Sequence, residues 1–159
     1  MKYIIGIDPG GSGGIAMLDK LGRIVLVEKM PPTDKDIADC FITCKQKLSK
    51  EDSVFAYLEN VHSMPGQGVS STFKFGKNYG ALRMALIILE IPFEEPTPVK
   101  WQKPLGLVVP SAKKLAKTQK KNLNKAKAQE LFPKVKKITH AIADALLIAE
   151  YGRRRQLGI

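Results

Sequence analysis

Three acids stand where an ordinary globular chain would not put them. Asp8 closes the apolar run Tyr3–Asp8 (YIIGID), Glu59 closes Val54–Glu59 (VFAYLE), and Asp144 sits inside AIADALLIA. A carboxylate carried into apolar surroundings gives up its hydration, and carboxylates brought together repel, so at least one resists ionising. A hard divalent cation relieves both costs. Two Mg²⁺ ions about 4 Å apart, with Mn²⁺ as a substitute, can activate a water and stabilise a leaving phosphodiester oxygen. His140 lies one helical turn before Asp144, on the same face, where it could be a fourth ligand or a proton-transfer group. Each residue also has a plainer role. Asp8 before Pro9 could shape an Asx turn, Glu59 could pair with a lysine, Asp144 could pair locally, and His140 could be only a first-turn helix residue. The metal reading needs all three acids in one place, so the elements that carry them decide.

Tyr3–Asp8 reads as a buried strand stopped by Pro9 and a glycine cluster, with Gly14–Leu18 returning and Arg23–Glu28 as a third strand after a turn. Tight turns make these an antiparallel meander. Thr33 and Asp36 open a helix, along which Ile37, Cys40, Phe41, Cys44 and Leu48 recur at helical spacing. Val54–Glu59 is the fourth strand. The stretch 62–75 reads as a loop entering a helix marked by Tyr79, Leu82, Leu86 and Leu89. Ile91–Glu95, flanked by prolines, fits an edge strand. Ser111 is placed to cap a lysine-rich helix that ends at Ala126–Phe132. Thr139 is placed to cap a last helix, His140–Tyr151, with Gly152 as its stop and Arg153–Arg155 as a basic tail. The expected fold is α/β, a mixed sheet flanked by helices in one domain over residues 1–159. The first and fourth strands side by side, with the last helix across them, would bring Asp8, Glu59 and Asp144 together.

Composition narrows the partners. The 159 residues carry a net charge of +11, and twelve lysines against one acid between Pro98 and Lys137 account for all of it. A neutral body with one concentrated basic segment suits a polyanion, although a solvated lysine face has the same composition. The segment has few large apolar residues for membrane insertion, there is no run of eighteen apolar residues, and the N-terminus lacks a signal-peptide layout. Cys40 and Cys44 match no zinc spacing and read as reduced core residues, which places the protein in a cytoplasm. The glycines at 10, 11, 13 and 14 also resemble the phosphate loop of actin-like and sugar-kinase folds. That fold needs two related domains, for which this chain has no room.

Taken together, IIGIDPGGSGGIA, AYLENVHSMPGQGVSSTFKFGKNYG, TPVKWQKPLG, KAQELFP and HAIADALLIAEYGRR resemble RuvC-type Holliday junction resolvases, most nearly the small RuvC-like endonucleases of bacteriophages. The likeness covers nearly the whole chain in the same order. It implies an RNase H-like fold, with a three-stranded antiparallel meander plus parallel strands in a five-stranded sheet. It also implies a homodimer that binds branched DNA, acting in recombination or repair in a host cytoplasm if the chain is phage-encoded. By motif match Asp8, Glu59 and Asp144 are the metal carboxylates, and His140 takes a position filled by Asp or His among members. Lys103 falls where members supply a lysine near the scissile phosphate, and Lys125 where the next helix opens with another. Lys100, Lys103, Lys113, Lys114, Lys117, Lys120, Lys121 and Lys125 are the expected phosphate contacts. Bacterial members carry a junction-contacting aromatic three residues after the catalytic Glu, where this chain has His62. Met64, Phe73 and Phe75 are the nearby alternatives, and aromatics there also suit a core.

The expected activity is Mg²⁺-dependent cleavage of four-way junctions or related branched DNA, with Leu82, Leu86 and Leu89 as the candidate dimer face, an apolar stripe that fits a core equally well. Two other readings remain open: a nuclease for flaps, forks or RNA–DNA hybrids, and a non-catalytic basic DNA-binding module.

Overall fold

The computed structural model describes residues 2–62, 66, 68–109 and 115–159. Five strands, β1 (Lys2–Asp8), β2 (Gly14–Asp19), β3 (Ile24–Lys29), β4 (Ser53–Leu58) and β5 (Phe93–Glu94), form one sheet in the order β3-β2-β1-β4-β5. β1, β2 and β3 are the antiparallel meander, while β4 joins β1 in parallel and β5 joins β4 in parallel at the edge. Among the described residues five helices follow or intervene: α1 (Asp34–Gln46), α2 (Val69–Ile88), α3 (Pro98–Gln102), α4 (Lys117–Leu131) and α5 (His140–Leu157). A short 3-10 turn, Lys103–Leu105, continues α3. Among the described residues no helix is long and apolar enough to cross a membrane.

The period-two alternation of the strands divides the core into two layers. Ile5, Ile7, Ile15 and Met17 face α1 and α2, where Ile37, Cys40, Phe41, Cys44, Leu82 and Leu86 meet them. Ile4, Ala16, Leu18 and Tyr57 face α5, packed with Trp101, Ala128 and the apolar side of that helix. Both cysteines are buried free thiols, as their helical spacing predicts. Thr33 does cap α1: its Oγ1 accepts the Asp36 N–H at 3.1 Å and donates to Asp36 Oδ2 at 2.6 Å.

Several boundaries differ from the sequence reading. Gly152 does not stop α5. It is buried in mid-helix, and a Cβ there would stand 2.3 Å from the Tyr57 ring, so close packing against β4 requires the glycine. The helix runs on to Leu157 and ends at Gly158 in the left-handed region. The Arg153–Arg155 tail is therefore helical and paired: Arg153 and Arg154 both bind the buried Glu150, and Arg155 lies 3.5 Å from Glu94. Thr139 occupies the cap position of α5, but its side chain makes no cap hydrogen bond and its Oγ1 is buried without a partner among the described residues. At α4 the N-cap is Ala116, whose N–H donates to the Gln119 side chain at 2.8 Å; Ser111, expected as the cap, lies outside the described residues.

Candidate active site

The alternation that builds the core also places the acids. Ile4 and Tyr57 face α5, so Asp8 and Glu59, an even number of residues further along β1 and β4, emerge on the same side. The Glu59 N–H still donates to the Ile7 carbonyl at 3.0 Å, which extends the β1–β4 pairing to the strand ends. The start of α5 crosses at that level. Gly14 pairs with Asp8 across the meander, and a Cβ on Gly14 would meet the Ala141 carbonyl at 2.5 Å. Asp144 is less than one helical turn further along.

The charge of Asp144 reaches both other carboxyls, and that of Glu59 reaches Asp8. Burial holds Asp8 well above the usual carboxylate range, and the charges of Asp144 and Glu59 raise it further while Lys121 opposes. Burial pushes Glu59 up to about 7, against the Trp101 hydrogen bond and together with the Asp144 charge. Asp144 is raised by burial and moderated by Asn124, Lys121 and His140. Two of the three have neutral partners rather than lysines: Trp101 Nε1 donates to Glu59 Oε1 and Asn124 Nδ2 to Asp144 Oδ1, each at 2.8 Å. Glu59 bonds to a tryptophan where a lysine was considered, and the hydrogen bond of Asp144 goes across to α4.

Oxygen donors that repel one another and resist ionising suit a hard divalent cation. Among the described residues, however, no three His, Cys, Asp or Glu side chains stand in a ready ligand cluster. The acids share a field without being drawn into a cage. His140 is exposed in the first turn of α5, with Nε2 at 3.0 Å from Asn122 Oδ1, and its charge is felt at Asp144.

Lys100 and Lys103 are exposed on α3 and its 3-10 continuation, and Lys117, Lys120 and Lys125 are exposed on α4. Lys121 is half-buried, with its charge reaching Asp8 and Asp144. Lys113, Lys114 and Met64 lie outside the described residues. Phe73 is exposed, whereas Phe75 stacks on Tyr79 with ring centroids 6.0 Å apart. Leu82 and Leu86, expected at a dimer face, are fully buried in the core, and Leu89 packs beside them.

Sequence reasoning missed Trp101, Asn122 and Asn124. Trp101 is the chain's one tryptophan, in a lysine-bearing segment. Asn124 precedes the buried Ala128 by one turn, which was the available sign that it faces inward.

No family model and no curated protein matches the chain. Solved structures do. The RuvC of Thermus thermophilus in complex with a Holliday junction substrate matches with a TM-score of 0.64 at 19% identity, covering 99% of this chain and 97% of that one. Another Thermus thermophilus RuvC structure matches with a TM-score of 0.62, also at 19% identity, covering 98% and 96%. The fold is that of RuvC, an RNase H-like mixed sheet with flanking helices.

Proposed function

We propose that this protein is a structure-selective DNA endonuclease that cleaves Holliday junctions or related branched DNA. One observation carries the reading: Asp8, Glu59 and Asp144 come from three separate elements to one end of the sheet, all three are raised by burial with the Asp144 charge adding to Asp8 and Glu59, and they lie beside a lysine-bearing helix. A module that only bound DNA would gain nothing from three buried acids beside a phosphate backbone. The solved RuvC matched over its full length is bound to a Holliday junction, which supports the same substrate class here.

In this reading Asp8, Glu59 and Asp144 hold two Mg²⁺ ions, with Mn²⁺ as a substitute, and His140 is the fourth ligand. Divalent ions bound there supply Lewis-acid charge and lower the pKa of water at neutral pH. Trp101 and Asn124 each hold one carboxylate oxygen in place. The exposed lysines 100, 103, 117, 120 and 125, with Lys113 and Lys114, bind backbone phosphates, and Lys121 brings a positive charge to the acids themselves.

Two strands of a two-fold junction call for two sites related by symmetry, so the active unit is a homodimer. Its interface lies on the outer face of α2, opposite Leu82 and Leu86. Val69, Phe73, Met84, Ile87 and Ile88 recur there at helical spacing and are 54–88% exposed.

The test is to offer the purified protein four-way junctions, flaps, forks, duplex and RNA–DNA hybrid, with Mg²⁺ or with EDTA, and to map the cuts. Paired nicks across the junction that require Mg²⁺ and vanish in Asp8→Asn, Glu59→Gln and Asp144→Asn, with junction binding retained, are expected. Binding without cutting in any divalent metal would leave the DNA-binding module, and preferred cutting of flaps or hybrids would change the substrate.

A further inference from the structure

α4 does more than carry lysines. Lys117, Lys120 and Lys125 are exposed along it, while Asn124 is buried. Asn124 Nδ2 donates to Asp144 Oδ1 at 2.8 Å, and Asn122 Oδ1 lies 3.0 Å from His140 Nε2. Both contacts bridge α4 to the first two turns of α5, where the expected metal ligands sit. We infer that Asn124 and Asn122 are positioning residues for the acidic centre: one fixes the Asp144 carboxylate, the other fixes the His140 ring, and the helix with the phosphate-binding lysines is thereby fastened to the metal site.

The chemistry follows from the donors. An amide that donates to Oδ1 directs that oxygen away from a cation and leaves Oδ2 for it. An amide oxygen that accepts from Nε2–H sets the neutral ring in the tautomer with its lone pair on Nδ1. Partners of this kind, one bond behind a ligand, fix its orientation, and removing them costs about 10–100-fold in metal affinity or activity. Asn124 shares the buried side of α4 with Ala128, so Asn124→Leu keeps an apolar side chain of similar size there. Asn122, by contrast, is exposed and fills no part of the core.

The inference rests on the proposed metal-dependent function, and its test separates the two. Trp101, the chain's one tryptophan, is fully buried and hydrogen bonded to Glu59, so its fluorescence reports cation binding at that carboxylate. Mn²⁺, which is paramagnetic, is titrated into the metal-free protein, and the quenching midpoint is compared between wild type, Asn124→Leu and Asn122→Ala. Melting temperature and affinity for a synthetic four-way junction in EDTA are measured beside it. The expected result is a midpoint raised about tenfold in Asn124→Leu and at least ~3-fold in Asn122→Ala, with junction affinity in EDTA unchanged. Asn124→Gln, which keeps the donor, should recover part of the shift. A lower melting temperature with an unchanged Mn²⁺ midpoint would overturn the positioning role. If Asn124→Leu does not fold, the exposed Asn122→Ala decides alone. Wild type that binds no Mn²⁺ would instead overturn the metal-dependent function, and this inference with it.

Discussion

Trp101 Nε1 donates to Glu59 Oε1 at 2.8 Å, and neither side chain has appreciable contact with solvent. The acid stands at the end of β4, and its donor comes from a five-residue helix 42 positions later. The bond favours the ionised carboxylate while burial favours the neutral one, and burial wins, with Glu59 raised to about 7. The acid is thus held in place but left short of full ionisation until more positive charge arrives.

Replacing Trp101 by Phe keeps an aromatic ring and removes the donor. A hydrogen bond to a charged group contributes about 1.5–3 kcal/mol, so Trp101→Phe should lose stability of that order at pH 8 without metal. At pH 5 Glu59 is protonated in the native state and the charge-assisted part is absent, so the loss should shrink. Urea denaturation at the two pH values in EDTA measures the difference. A loss of equal size at both would assign Trp101 to packing alone.

The raised acids give the metal-free fold an unusual pH dependence. A group whose native pKa exceeds its unfolded value stabilises the fold below the unfolded pKa, and that stability is lost as pH rises through the native value. For Glu59 the window runs from its ordinary 4.5 to about 7. Glu59→Gln, which cannot ionise, should therefore be more stable than wild type at pH 8 in EDTA and show no such gain at pH 4.5. Saturating Mg²⁺ should reverse the order at pH 8, since a ligand at 100 times its Kd stabilises the binding form by about 2.7 kcal/mol. Calorimetric melting of the two proteins, with and without Mg²⁺, checks both signs.

Much of this arrangement was legible in the sequence. Asp8, Glu59 and Asp144 announced themselves as charges ending or interrupting apolar runs, and period two along β1 and β4 carried two of them to one face. Their partners were not legible, for distinct reasons. α3 is too short to show a helical period, so Trp101 was one residue of a basic segment with no element of its own. Asn122 and Asn124 sit among lysines, and local sequence does not say which side of α4 meets α5. Gly152 looked like a helix stop because crowding against Tyr57, the reason it must be glycine, comes from a strand almost a hundred residues away. The α2 leucines fitted a core or an interface equally well, since an apolar stripe specifies burial without naming what covers it.

The lysines of α4 should act through phosphates. Neutralising Lys117, Lys120 and Lys125, all exposed, should weaken junction binding and flatten its salt dependence by about 0.9 log units of slope per lost contact. Lys127, paired with Glu130 at 2.8 Å, should contribute less when changed alone. Fluorescence anisotropy over a range of KCl concentrations reads the slope. An unchanged slope would leave these lysines as a solvated face.

The two faces of α2 make opposite predictions. Leu82 and Leu86 are fully buried against α1 and the sheet, so Leu→Ala at either should cost about 2–5 kcal/mol and lower the melting temperature, with any effect on association secondary to unfolding. Phe73 and Met84 lie on the other side, 68% and 54% exposed. A charge placed there costs the free chain little but cannot be buried against a second copy without a partner. Phe73→Glu and Met84→Glu should therefore keep the wild-type melting temperature measured at low protein concentration, yet sediment as monomers at micromolar concentration where wild type is a dimer. Junction affinity should fall with dimerisation, and a junction presented with such a monomer should be nicked singly rather than in pairs. If wild type itself sedimented as a monomer while cutting both strands, the outer face of α2 would not be an interface and each chain would act on its own.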